Sequence, residues 1–230
     1  MESIWNSQLL LIMMTLGVFI ISGFFYSKTN FFLLHPVLIT VAIMIMYIKL
    51  NGIEYGEYNE KSKFISFFLE PSVVALGLPL YNQIEKVKKG FTAVGFSILA
   101  GSATGIVTVV LIAMMFGGSE KTVLSLAPKS VTTPIAMEVS SVIGGIPSLT
   151  AAIVVSVGIF GAAVGLPFMR LVKIRKPEAV GIAMGTSSHA VGTSRVTVLG
   201  DDYGAFSGLG LALNGVATAL IAPWLIKLII

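Results

Sequence analysis

The chain has 230 residues, of which 55% are hydrophobic and only 11% charged, and its mean hydropathy is +0.93. A soluble domain carries roughly 25% charged residues, so this composition excludes one and indicates an all-α, polytopic transmembrane protein. A formal net charge of +4 is what the cytoplasmic loops of such a protein collect and calls for no nucleic acid, while the lack of cysteine excludes disulfides, thiolate metal sites and cysteine nucleophiles.

Glu2 stands where a leader peptide would be basic, and the first apolar run is of spanning length, so no cleaved leader is expected. Residues 8–26 carry no charge and meet the roughly 20-residue requirement for a membrane helix. Residues 31–48 make a second span with His35 and Pro36 in its first turns. Proline is tolerated there because the amide it lacks would be an orphan, and His35 reads as interfacial. Residues 49–63 mix Glu54, Glu57 and Glu60 with Lys49, Lys61 and Lys63 and read as a solvated loop. Residues 64–81 form a third span in which Glu70 precedes Pro71. A carboxylate at that depth is costly and the proline frees a backbone carbonyl, so the pair reads as a break facing a polar cavity. A basic loop with Lys86, Lys88 and Lys89 leads to a fourth span at residues 91–116. Its Gly101/Gly105 pair has GxxxG spacing, which recurs at Gly161/Gly165, Gly181/Gly185 and Gly204/Gly208 and suggests helices packed through small residues.

Two polar stretches interrupt the apolar pattern. In residues 127–147 three prolines (Pro128, Pro134, Pro147) and the Gly144/Gly145 pair forbid one straight helix, so a broken or re-entrant element is expected. Residues 149–169 form a further span, ending in the strongest basic cluster of the chain, Arg170, Lys173, Arg175 and Lys176. Residues 177–195 (PEAVGIAMGTSSHAVGTSR) mix glycine, hydroxyl side chains, His189 and Arg195, a composition that disfavours an uninterrupted helix. The last span, residues 205–229, carries Asn214 and Gly215 at its middle. Placing both basic loops in the cytoplasm puts the N-terminus outside and makes the 127–147 stretch enter and return on the outer side. A single integral membrane domain over residues 1–230 follows, with two inverted repeats at about 31–116 and 148–230 and discontinuous helices at 127–147 and 177–195.

The strings LAPKSVTTPIAMEVSSVIGGIPSLTA and GIAMGTSSHAVGTSR resemble the signature segments of the LrgB/CidB family of bacterial membrane proteins, and the resemblance covers essentially the whole chain. It implies a multi-pass protein of the bacterial cytoplasmic membrane, an antiholin-like function in the control of murein hydrolase activity and autolysis, and a small holin-like partner of the LrgA/CidA type. Through plastidic and bacterial relatives it also implies movement of small monocarboxylates such as glycolate, glycerate or pyruvate. A homo-oligomer is expected, and no cofactor.

Two functions stay open. In a carrier of small carboxylates, helix N-termini and Arg195 or Lys129 would receive the carboxylate, while hydroxyl groups bind the substrate's hydroxyl or keto oxygen. The expected contacts are Lys129, Ser130, Thr132, Thr133, Thr186, Ser187, Ser188, His189, Thr193, Ser194, Arg195 and Asn214, with Glu70 or Glu138 carrying a coupling proton. In a regulatory protein without flux, the same stretches would contact a membrane partner. Catalysis is not expected, because no GxSxG, HExxH or Walker A pattern occurs and a Ser–His pair at 187–189 arises readily by chance.

Overall fold

The computed structural model describes residues 7–29, 34, 36–68, 71, 81, 85 and 91–230. Glu70, His35 and most of the expected third span lie outside them. The chain divides into two compact units, Met1–Ser72 and Val73–Ile230, and every element among the described residues is helical.

The first unit contains α1 (Gln8–Thr29), α2 (Pro36–Leu50), α3 (Tyr55–Lys61) and α4 (Lys63–Phe67). With 22 residues, α1 is about 33 Å long at ~1.5 Å per residue, enough to cross a hydrocarbon core. Helix α2 begins on Pro36 itself, where the missing amide costs nothing. It ends where Gly52 takes a positive φ of 64° and Ile53 N–H closes back on the Ile48 carbonyl. The chain then turns by 119° into α3. Part of the stretch expected as a loop, residues 55–61, is therefore helical, and the Glu57–Lys61 ion pair (3.0 Å) joins charges one turn apart on it. Leu11, Met44 and Ile53 form the buried apolar contact of this unit.

The second unit contains α5 (Phe91–Met115), α6 (Glu120–Leu126), α7 (Thr133–Ile143), α8 (Pro147–Leu171), α9 (Pro177–Thr197) and α10 (Asp201–Ile229). Among the described residues, helices α1, α5, α8 and α10 are the four that are long and apolar enough to cross a membrane, and the bent α2–α3 pair is a candidate fifth span. The protein is thus all-α and polytopic. Helices α6 and α7 form a hairpin with its tip at residues 127–132. Ser119 caps α6 through the Thr122 amide, Pro134 sits in the first turn of α7, and Gly144 closes α7 in the left-handed conformation (φ 89°). Ser125 Oγ accepts from the Ile146 amide at 2.7 Å, which ties the end of α6 to the start of α8.

The second polar stretch is helical on both sides of one break. His189 has φ 42° and ψ −138°, and the chain folds back there. In a straight helix positions eight apart stand about 12 Å apart, yet a Cβ on Gly192 would come 2.8 Å from the Met184 carbonyl oxygen. Val196 on the returning arm packs with Val180 and Met184 on the outgoing arm. Glycine-rich composition does not unwind the outgoing arm, because its glycines serve close approach: a side chain at Gly185 would collide with the Ser207 carbonyl of α10. Helix α10 accordingly starts beside the start of α9, where Tyr203 Oη donates to the Arg175 carbonyl at 3.4 Å. The α6–α7 hairpin opens toward one end of this unit, between the end of α5 and the start of α8, and α9 opens toward the other.

Candidate functional site

The two hairpin tips meet at Asn214, halfway along α10. Its side chain is fully buried. Nδ2 donates to the Ser130 carbonyl in the first tip at 3.0 Å and to the Thr186 carbonyl in α9 at 2.9 Å, and Oδ1 accepts from Ser102 Oγ on α5. These carbonyls occur where helices stop or break. A backbone acceptor at that depth must find a donor within the protein, and one amide serves both.

The break itself is held from α8. The His189 imidazole is 4% exposed, and Nε2 lies 2.8 Å from the Val154 carbonyl. A carbonyl only accepts, so the ring donates through Nε2, which fixes its tautomer. Gly158 makes room for the ring, and a methyl group there would overlap it. A non-glycine residue at such φ/ψ costs on the order of 1–3 kcal/mol, and this one hydrogen-bonded side chain over-determines it. Farther along, Thr193 Oγ1 lies 2.9 Å from Ser207 Oγ and joins the returning arm to α10.

Beside the meeting point lies a cavity of about 410 Å³. One wall is a face of α5 with Ser97, Gly101 and Gly105 at one-turn spacing, the tip supplies Lys129 and Ser130, and the outgoing arm of α9 supplies Ala179, Ile182, Ala183, Thr186 and Ser187. Lys129 carries the one charge of the lining; its Nζ donates to Ser130 Oγ at 2.9 Å. No acidic side chain lines the cavity among the described residues. Thr186 Oγ1 and Thr132 Oγ1 are buried without a hydrogen-bond partner among the described residues, although buried polar atoms are nearly always paired.

Of the residues singled out in the sequence, Lys129, Ser130, Thr186 and Ser187 line this cavity, and Asn214 binds its two walls together from behind. Thr132 ends the tip as the N-cap of α7, and Thr133 is the first residue of that helix. Ser188 and His189 are buried at the fold-back toward α8, with Ser188 against Gly161. Thr193 faces α10, while Ser194 and Arg195 are exposed on the returning arm, outside the cavity lining. Glu138 is exposed on α7, also outside it, and Glu70 lies outside the described residues. Ser97 and Ser102 were not singled out. Their signal is a small and polar face in an otherwise apolar span, Ser97, Gly101 and Gly105 at intervals of four with Ser102 adjacent. Among the described residues no group of three or more His, Cys, Asp or Glu side chains gathers as a metal site would require.

The LrgB-like family matches residues 15–228. The chain is 34% identical over 219 residues, 95% of each chain, to the antiholin-like protein LrgB of Bacillus subtilis (strain 168). It is 33% identical over 199 residues, 86% of each chain, to the antiholin-like protein LrgB of Bacillus mycoides (strain KBAB4), and 32% over the same length to that of Bacillus cereus (strain B4264). No solved structure matches. With the match running through α1, both hairpins and α10, this multi-pass bacterial membrane protein belongs to the LrgB-like family.

Proposed function

We propose that the chain acts as an antiholin-like membrane protein that restrains murein hydrolase activity and autolysis, working with a small holin-like protein in the same membrane. The observation that carries this reading is likeness over nearly the full length to proteins named for that activity. Expression in a Bacillus subtilis strain lacking its own LrgB should restore the parental rate of detergent-induced autolysis. An unchanged rate in cells that insert the chain into the membrane speaks against it.

A second reading, carriage of a small carboxylate of the glycolate, glycerate or pyruvate type, is favoured by one specific feature. Among the described residues Lys129 is the single cation of the cavity wall, at the crossing of two opposed hairpins, with hydroxyls around it and no carboxylate beside it. Broken helices crossing near mid-depth, related as inverted repeats, are a plan on which carriers bind anions. Here Lys129 receives the carboxylate, and Ser130, Thr186 and Ser187 meet a hydroxyl or keto oxygen. Arg195 and Glu138 would enter this scheme only in a state that brings them to the cavity. Purified protein in liposomes, without any partner, should move labelled pyruvate or glycolate, and Lys129→Gln should lower that flux at least about tenfold, a charge-assisted hydrogen bond being worth about 1.5–3 kcal/mol. Absence of flux from folded wild-type protein removes this reading and leaves the regulatory one standing.

A further inference from the structure

Where α8 gives way to α9, at the end of the second unit away from the α6–α7 base, lies another cavity of about 430 Å³. Its charged lining residues are Arg170 and Arg175, with no acidic side chain among them, and the remaining wall is apolar apart from Tyr203. Leu166 and Met169 are buried at its floor, while Ile174 and Leu199 are 41% and 43% exposed. Glu178, Asp201, Asp202, Lys173 and Lys176 belong to the same end of the unit but do not line it.

The turn that carries the two arginines is a defined structure. Lys173 N–H bonds the Arg170 carbonyl at 3.1 Å and Ile174 N–H bonds the Met169 carbonyl at 2.8 Å, with Lys173 at φ 62° in the left-handed position that glycine usually takes. The Tyr203 hydroxyl bonds the Arg175 carbonyl and pins the far side of the turn.

We infer that this cavity binds an anionic phospholipid, its phosphate between Arg170 and Arg175 and its glycerol and upper acyl segment over the apolar floor. Guanidinium forks match phosphate oxygens in pairs, and basic pockets between spanning helices at the cytoplasmic face are suited to anionic headgroups. Depth selects lipid over a soluble anion: Arg170 occupies the last turn of a spanning helix, at headgroup level, and a free phosphate would leave the floor of Leu166 and Met169 wetted. The inference does not rest on either reading of function.

The test uses the purified full chain in detergent, titrated with phosphatidylglycerol or phosphatidylcholine, with bound lipid read by native mass spectrometry and Tm read alongside. Wild type should retain phosphatidylglycerol in preference to phosphatidylcholine. Arg170→Gln/Arg175→Gln should weaken that retention on the order of twentyfold, in line with the contribution of two basic side chains at a headgroup. Arg170→Lys/Arg175→Lys, which preserves charge and is the safer variant for folding, should fall between the two. Lys49→Gln/Lys227→Gln should leave retention unchanged. Equal retention of both lipids by wild type, or equal loss in the Lys49/Lys227 control, overturns the proposal. So does a Tm rise with inorganic phosphate alone that matches the one with phosphatidylglycerol, since that would mark a site for a soluble anion.

Discussion

A carboxamide has two donor hydrogens and one acceptor oxygen, and Asn214 commits all of them to three different elements: the α6–α7 tip, α9 and α5. Its donors are therefore already engaged by backbone carbonyls, which makes its first task the positioning of both cavity walls. Asn214→Ala leaves the Ser130 and Thr186 carbonyls short of a donor, while Ser102 Oγ keeps the Ile98 carbonyl as its acceptor. Each such group costs about 1–3 kcal/mol in a soluble core, but an interhelical hydrogen bond in a bilayer averages only about 0.6 kcal/mol. A net loss of about 1–3 kcal/mol follows for the two together. Asn214→Asp should be worse than alanine, because a carboxylate turns oxygens toward the two carbonyls and buries a charge. Melting of the three proteins in one detergent checks the order, wild type above alanine above aspartate; an aspartate variant as stable as wild type would mean that the donors hold nothing. The sequence marked Asn214 as a polar residue in the middle of a span, and that much needed no structure. Its partners are main-chain carbonyls from residues 84 and 28 positions away, exposed only because helices stop there, and no side-chain pattern encodes them.

At the scale of elements, the two hairpins differ in how plainly the sequence declares them. The first is written in prolines and in the Gly144/Gly145 pair, so its re-entrant form could be expected from residue types alone. In α9 the glycines and hydroxyls signal a break but not its direction. A crossing helix with a kink and a hairpin that returns share the same composition. The direction is decided by His189 in its pocket at Gly158 and by Gly185 under the Ser207 carbonyl, contacts made across three helices. The return has a sharp consequence for topology. Lys173, before α9, and Leu199, after it, are both exposed and belong to the same side of the membrane, while Lys121 at the start of α6 belongs to the other. Single cysteines at Lys173 and Leu199 should react with an impermeant maleimide from one side, and a cysteine at Lys121 from the opposite one, against a background free of native thiols. Labelling of Lys173→Cys and Leu199→Cys from opposite sides would mean that α9 crosses.

For the molecule, the second unit is layered: apolar seats toward each end and a polar layer between them. Ile106, Val110, Val123 and Leu124 seat the first hairpin together with Ala222 and Ile226 of α10. Five buried side chains, among them Met169, Val180 and Val196, make the seat of α9, against eight in the cluster around the first hairpin. Ile182 of α9 also packs against Val94, Ile98, Leu209 and Ala217, and the rest of the hold is polar or through glycine, as in the Thr193–Ser207 contact. The fold-back of α9 depends on one strained residue, His189, held by a single side-chain hydrogen bond to α8, which makes α9 the element expected to move if the protein carries a solute. Its outgoing arm can be fastened to α5 without disturbing either seat. A Cβ on Gly101 would stand 3.2 Å from Thr186 Cγ2, which puts Thr186 Cβ, one bond farther, near the upper end of the about 3.5–4.5 Å that disulfides span between Cβ atoms, so a small rotation of either helix lets Gly101→Cys/Thr186→Cys bond. Oxidation of the double variant in liposomes should abolish carboxylate flux, reductant should restore it, and each single variant should be indifferent to both treatments. Undiminished flux through protein shown by mass to be fully crosslinked would place the moving element elsewhere in the chain and leave α9 as a fixed wall of the cavity.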